Sequence, residues 1–190
     1  MLDKTSIQSA INSVSVGYDD DKSDAISLIP EGLCCEFGVS KGRYTREIAR
    51  LLSPVTYYGF DSFNGLPEDW EDRARKGAFK CDPPTDLGEN VELVIGLFQE
   101  TLKPFLEKHK EPVAFCHFDA DLYSSTKYAL NVLDGRFAKG AILMFDQITM
   151  TDFCVKHEGR AMQEFIEESG IKWEVIGRQK RDGAIFKVNT

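Results

Sequence analysis

Histidine and cysteine are scarce in this chain of 190 residues, with three of the first and five of the second. The cysteines are Cys34, Cys35, Cys81, Cys116 and Cys154. Their number is odd and no Cys-x-x-Cys pair occurs, so neither a disulfide framework nor a thiolate metal knuckle is indicated. Cys34, Cys35 and Cys116 fall in apolar runs, where a thiol acts as a small buried hydrophobe. A reducing compartment is therefore expected. Positive charge is short too: 23 Lys and Arg stand against 31 Asp and Glu, a net −8. That argues against a nucleic acid partner, because a phosphate backbone needs a basic surface. No apolar run reaches membrane-spanning length, and Met1-Leu2-Asp3-Lys4-Thr5 lacks the apolar core of a signal peptide. No membrane partner and a cytoplasmic location are expected.

What is present suits one soluble globular unit. The hydrophobic fraction is 42% and the charged fraction 28%, ordinary values for such a protein. The length supports one well-buried core and is short for two. A single domain over 1–190 is expected, with N-terminal helices in 1–32 (3–14 and 20–29) and a core from 33 to 190. Along that core, apolar runs alternate with helical stretches, the pattern of a doubly wound α/β sheet. Strands are predicted at 33–37, 55–60, 91–95, 112–118 and 140–145. Helices are predicted at 42–52, 99–109, 123–134 and 157–169. Ile171–Ile176 and Ala184–Val188 flank Arg181-Asp182-Gly183 and predict an antiparallel hairpin. The long stretch 62–90 holds Pro67, Pro83, Pro84, Gly65, Gly77 and Gly88. It reads as a loop that is functional or mobile.

The most informative stretch is Leu33-Cys-Cys-Glu-Phe-Gly-Val-Ser-Lys-Gly42. An apolar strand stops near Glu36, a turn follows with Gly38 and Gly42 four apart, and a helix begins. Its apolar face is predicted from Tyr44, Ile48, Leu51 and Leu52. Strand, glycine turn and helix open a nucleotide-binding unit, in which glycine lets the backbone approach a ligand and the helix start offers free N–H groups. The next strand ends at Asp61, 23 residues past Gly38, where an acid can accept both hydroxyls of a ribose. The dinucleotide spacing Gly-x-Gly-x-x-Gly is missing. What stands instead, Glu-x-Gly-x-x-x-Gly, resembles the first motif of class I S-adenosylmethionine (SAM)-dependent methyltransferases. SAM has no pyrophosphate to cradle, and its ammonium and sulfonium suit an acid such as Glu36.

Four predicted strands end in an acid: Glu36, Asp61, Asp119 and Asp146, with Asp121 just beyond. One such acid is an ordinary cap or turn residue. Several converging at the carboxyl edge of one sheet imply a cation, a shared proton or a polyhydroxyl ligand. Strand three ends instead in Gly96-Leu97-Phe98, and Phe98 could stack on an adenine.

The stretches Glu36-Phe-Gly-Val-Ser-Lys-Gly42, Tyr58-Gly-Phe-Asp-Ser-Phe-Asn-Gly-Leu-Pro67, Gly96-Leu-Phe-Gln-Glu-Thr-Leu102, His117-Phe-Asp-Ala-Asp-Leu-Tyr-Ser-Ser-Thr126 and Phe145-Asp-Gln147 occur in that order. Together they resemble the TylF/MycF (macrocin O-methyltransferase-like) family, from about residue 33 to 170. The resemblance implies a Rossmann-like class I methyltransferase: a seven-stranded, mostly parallel sheet of order 3-2-1-4-5-7-6 with strand 7 antiparallel. It implies SAM as donor, a hydroxyl of a small molecule, a sugar or glycoside, as acceptor, and assistance from Mg2+. Carried over position by position, Glu36, Gly38 and Gly42 would line the methionine end of SAM. Asp61 would hold the ribose beside Ser62 and Phe63, and Leu97 and Phe98 would flank the adenine. Asp119 would lie at the cofactor and, with Asp146 and Gln147, match the metal ligands. Asp121 would be the general base. The family carries Asp or Glu where this chain has Gln147, and an amide oxygen ligates magnesium without charge. The thirty or so residues before strand one are also fewer than the family's usual substrate-covering segment.

His157, at a predicted helix start after strand five, reads as a second catalytic candidate at the acceptor or as a surface cap. His117 reads as a packed or supporting histidine, and His109 as solvated. Trp70 reads as part of a lid or as cover for a sheet edge. Two alternatives to an O-methyltransferase stay open on sequence: a catalytically impaired methyltransferase-like binding protein, and a nicotinamide-dependent oxidoreductase. The sequence leaves homo-oligomerisation open.

Overall fold

The computed structural model describes residues 9–11, 22–148, 156–178 and 183–189. Most of the predicted helix at 3–14, Cys154 and the tip of the predicted hairpin lie outside these residues. Seven strands form one sheet: β1 (Leu33–Phe37), β2 (Tyr57–Asp61), β3 (Val91–Ile95), β4 (Val113–Phe118), β5 (Phe137–Phe145), β6 (Trp173–Arg178) and β7 (Ala184–Val188). Their order is β3-β2-β1-β4-β5-β7-β6. The first five run parallel, and β7 pairs antiparallel with both β5 and β6. This is the expected doubly wound α/β sheet with its antiparallel seventh strand.

The helices are α1 (Lys22–Ser27), α2 (Arg43–Leu52), α3 (Phe98–Lys108), α4 (Tyr123–Leu133) and α5 (Glu158–Ser169). β1 and β4 are buried at every position, as parallel strands covered on both faces must be. Their alternate residues divide between two cores. Cys35, Phe37, Phe118 and Phe145 pack with Leu102, Leu130 and Phe165 of α3, α4 and α5. Cys34, Tyr57, Phe115 and Met144 pack with Ala25, Ile48 and Leu52 of α1 and α2. On α2 the buried stripe is Thr45, Ile48, Ala49 and Leu52. Leu51, expected on that face, is 38% exposed, because the i, i+3, i+4, i+7 set starting at Thr45 turns it outward.

Two strand starts differ from expectation. β2 begins at Tyr57, where its N–H meets Asn90 O, and Val55 stays exposed. β5 begins at Phe137, paired with Val113, and the register then jumps so that Phe115 faces Ile142. Gly140, with φ +81°, sits in that irregularity. A bulge in mid-strand thus reads in sequence as a strand start. His109, expected in solvent, stacks on Phe105 with ring centroids 4.1 Å apart.

One row of rings sets the platform for the site. Phe60, Phe37, Phe118 and Phe145 stand side by side on β2, β1, β4 and β5. Successive centroids are 5.2, 5.2 and 4.7 Å apart, with interplanar angles of 21°, 17° and 12°. Each buried ring contributes about 1.5–3 kcal/mol by leaving water, and each near-parallel pair roughly 0.5–1.5 more. The residues that follow them are Asp61, Gly38, Asp119 and Asp146.

Candidate active site

Gly38, Asp61 and Asp119 line a cleft of about 330 Å³ at the carboxyl edge of the sheet, whereas Asp146, expected there as a metal ligand, lies outside its lining; this edge is where open α/β sheets bind ligands. On one side it is lined by Gly38, Ser40, Asp61 and Ser62, and by the turn Gly96–Gln99. On the other it is lined by Asp119, Ala120, Asp121, Ser125 and Gln147. Gly65, Leu66, Pro67, Trp70 and Phe79 of the long loop form the remaining wall.

The glycine turn is built for close approach. Gly38 has φ +101°, and a Cβ there would lie 2.0 Å from the Asp119 carbonyl oxygen. Only glycine lets β1 and β4 end against each other this way. The Asp61 carboxylate organises the turn: Oδ2 accepts the N–H groups of Val39 (2.9 Å) and Ser40 (2.7 Å), and Oδ1 accepts that of Phe63 (2.8 Å). Both lone-pair sites of Oδ2 are thus taken, and Oδ1 keeps one free of these backbone bonds. Opposite, Leu97 and Phe98 line the wall, and Phe98 meets Phe37 edge-on at 5.3 Å.

Several expected residues lie elsewhere. Glu36 does not line the cleft. It is 1% exposed, and its carboxylate accepts from Thr45 Oγ1 at 2.5 Å and meets His117 Nδ1 at 3.0 Å. Side chains alternate along a strand, so Glu36, one residue before Phe37, turns to the α2 face. There it ties β1, β4 and α2 together. Burial works against a charged His117, but the bond to Glu36 and the surrounding carboxylates hold its pKa above the usual imidazole value. Gly42 caps α2 with φ +73° and packs beside Leu87 and Pro84 rather than the cleft. Phe63 is buried with Val39 and Leu87. His157 also lies outside the lining. It sits against Trp70, with centroids 6.1 Å apart, and its Nε2 is 3.7 Å from Glu71. Burial lowers its pKa.

The acidic end is strongly perturbed. Burial, with the charges of Asp146 and Asp121, pushes Asp119 up to about 7 against the pull of His117. Burial and Asp146 also push Asp121 up to about 7, opposed by Arg73 and by the bond to Gln147. Gln147 Nε2 donates to Asp121 Oδ1 at 3.3 Å. The structure thus brings Gln147 to Asp121, whereas the expected set paired it with Asp119 and Asp146. Among the described residues no group of three His, Cys, Asp or Glu side chains could hold a metal. Two carboxylates and an amide suit a hard cation in kind, and a magnesium ion held there would keep waters in its remaining positions.

Sequence reasoning missed Glu158, the first residue of α5. It is fully buried, with Oε1 accepting Ala120 N–H and Oε2 accepting Gln147 N–H, each at 3.1 Å. As a helix-start acid it carries no sequence signal beyond an ordinary dipole partner. Backbone strain marks the same region. The positive-φ non-glycine residues among those described are Ser40, Phe63, Glu71, Phe79 and Asp121. Three of them line the cleft and the other two adjoin it, and such strain gathers at functional sites.

The long loop carries no helix or strand, only a bridge between Trp70 and Ala74. Leu66 and Trp70 seat it on Leu122. Arg46 fastens its far end, donating to Asp86 and to the carbonyls of Lys41 and Gly42. No described helix is long and apolar enough to cross a membrane.

Solved structures share this architecture. Calicheamicin methyltransferase CalS11 is 24% identical over 87% of this chain and 77% of its own, with a TM-score of 0.70. The O-methyltransferase NovP is 23% identical over 90% and 79%, with a TM-score of 0.68. An O-methyltransferase from Bacillus cereus, in complex with SAH, is 18% identical over 98% and 89%, with a TM-score of 0.58. At these identities the likeness is one of fold. No curated protein matches the chain in sequence. Residues 35–148, from β1 to the end of β5, match the family model described as a methyltransferase domain. With the glycine turn and the strand-end acids inside that span, the chain belongs to this methyltransferase family, and it is a SAM-dependent enzyme.

Proposed function

We propose that the protein transfers a methyl group from SAM to a hydroxyl of a small molecule, of the sugar or glycoside class, as a member of the TylF/MycF branch. The observation that carries this reading is Asp121. It stands in left-handed backbone on the cleft wall, with its carboxyl raised to about 7 and oriented by Gln147. An ordinary aspartate at about 3.9 is a poor base for an alcohol. A carboxyl near the working pH is better matched to taking up that proton. Two neighbours in fold support the reading: the TDP-rhamnose 3'-O-methyltransferase CalS11 supports the sugar acceptor, and the O-methyltransferase NovP supports transfer to oxygen.

The residues present fit SAM. Asp61 offers Oδ1 to the ribose, Gly38 leaves room where a side chain would collide, and Leu97 and Phe98 give an apolar wall to the adenine. Asp119 would face the amino acid end. Bound SAM would supply an electrophilic methyl group on a sulfonium. The chain's own residues then hold the acceptor oxygen in line with the methyl carbon. As the oxygen–carbon bond forms and the carbon–sulfur bond breaks, the hydroxyl proton passes to Asp121 Oδ. Trp70, Phe79 and Leu66 exclude water from that end of the cleft. No step is routed through a metal.

The test is SAH formation over a panel of nucleoside-diphosphate deoxysugars and hydroxylated glycosides, with calorimetry against SAM and NAD. Asp121→Asn should lower kcat on the order of 100-fold while leaving SAM affinity in place. Affinity for NAD and not SAM would reject the reading. SAM binding with no methylated product from any hydroxylated acceptor would favour a binding protein, the outcome toward which Gln147 leans.

A further inference from the structure

The parallel ladder between β4 and β5 continues to Asp146 N–H, which donates to Phe118 O at 3.0 Å. Past that rung the two chains diverge. The segment after β4 carries Asp119, Ala120 and Asp121, and the segment after β5 carries Asp146 and Gln147. The next amides on each side, those of Ala120 and Gln147, both donate to Glu158. One carboxylate from a third element thus continues the pairing that the backbone can no longer make directly. The clamp lies where precision matters, since Asp121 follows Ala120 and the Gln147 side chain reaches Asp121.

An acid at the first position of a helix ordinarily needs no more explanation than the helix dipole. Here that account falls short, because the carboxylate is 1% exposed and turned onto two strand ends. It also lies within range of Asp119 and Asp121, whose charges, after burial itself, hold its own pKa well above the usual carboxylate range. Burying an acid among acids is costly. A carboxylate nevertheless meets a geometric requirement that an amide cannot: it presents two acceptors to two N–H groups, where glutamine must turn a donor toward one of them.

We propose that Glu158 is a positioning residue for methyl transfer: by accepting the amides of Ala120 and Gln147 together, it sets the spacing between the Asp121 and Gln147 sides of the acceptor pocket. The proposal rests on the methyltransferase reading of the cleft. It separates Glu158 from the residues that touch donor or acceptor.

The test is Glu158→Gln, equal in shape with one acceptor exchanged for a donor, measured in the full chain. Two readouts are taken: steady-state methyl transfer with SAH affinity, and amide hydrogen exchange at Ala120 and Gln147. The expected result is a kcat lower by about 100-fold, the scale of a misplacement near 1 Å. SAH affinity should stay within about threefold, and faster exchange should be confined to one or both of those amides. A kcat within about threefold of the parent overturns the proposal, as does undiminished protection of both amides. A loss of kcat matched by an equal loss of SAH affinity would also overturn it, marking a general structural role. If Glu158→Gln does not fold, Glu158→Asp, which keeps two acceptors on a shorter arm, is read by the same criteria. A parent that methylates nothing while the amides lose protection in the variant would sink the methyltransferase reading and leave the clamp standing.

Discussion

Asp61 is asked to do two things, to hold the glycine turn and to meet the ribose, and removing its carboxylate separates them. Asp61→Ala deletes the acceptor of three backbone N–H groups, those of Val39, Ser40 and Phe63. Hydrogen bonds to a charged acceptor contribute about 1.5–3 kcal/mol each. Three at the low end would sum to roughly 4–5 kcal/mol if none could be replaced. Water reaches this turn, since Ser40 is exposed and Asp61 half-buried, so about 2 kcal/mol of stability is the expected loss. Asp61→Asn keeps one acceptor oxygen for Val39 and Ser40 and turns its amide toward Phe63 N–H, a cost of about 1 kcal/mol. Urea unfolding reads that part. Calorimetry with SAH reads the other: loss of the ribose contact should weaken binding by a further factor of about ten to a hundred. Lost stability with unchanged SAH affinity would make Asp61 a turn organiser and refute its ribose role. If neither quantity moved, the reasoning from its hydrogen bonds would be refuted altogether.

Gly38→Ala places a methyl against the Asp119 carbonyl at φ +101°. It should cost at least about 3 kcal/mol in denaturant unfolding, and a midpoint equal to the parent's would contradict the close approach. Gln147→Glu adds a third carboxylate near Asp121 and Asp146, so the magnesium concentration for half-maximal activity should fall about tenfold. An unchanged magnesium response would remove position 147 from any metal reading. The ligand-free, EDTA-treated protein should lose thermal stability as pH rises from about 4 to about 7. Asp119 and Asp121 keep protons in the folded state to about 7, whereas the unfolded chain releases them near 3.8. The folded state therefore binds more protons across that window, and raising pH favours unfolding. The raised His117 and Glu158 act in the same direction, the lowered His157 opposes it, and the lowered Asp69, Asp86 and Glu164 oppose it at the acid end of the window, so a Tm that rises between about pH 5 and 7 would contradict the assignment. Protease cleavage within 62–90 should slow when SAH is added, if that loop closes over the bound cofactor; equal rates would mark it as a fixed wall.

The sheet was legible because buried parallel strands read as apolar runs and the terminal hairpin supplied the antiparallel strand. What was lost was depth along the strand. Glu36 and Asp61 look alike in sequence as acids at strand ends, yet Glu36 comes before its phenylalanine and Asp61 after, so on the same face of the sheet Glu36 stays inside, under α2, while Asp61 reaches the carboxyl edge and the cleft. Asp121 and Gln147 were visible as candidates, but their mutual contact depends on how two strand ends splay. Glu158 could not be seen at all, since its burial arises only when α5 closes onto β4 and β5. His157 was misplaced for the same reason: the Trp70 segment, with no periodicity to read, folds between it and the cleft.

The phenylalanine row has a consequence for how this molecule could diversify. Because the four rings abut, a change in the volume of any one is felt by its neighbours, and through them by Gly38, Asp61, Asp119 and Asp146 at once. Chemistry at the sheet edge is therefore mechanically locked as a unit. The wall formed by Leu66, Trp70 and Phe79 is attached to no ring of that row. Acceptor preference can drift through the loop while donor binding stays constant, so libraries aimed at new acceptors belong in residues 65–79 and the four phenylalanines are best left alone.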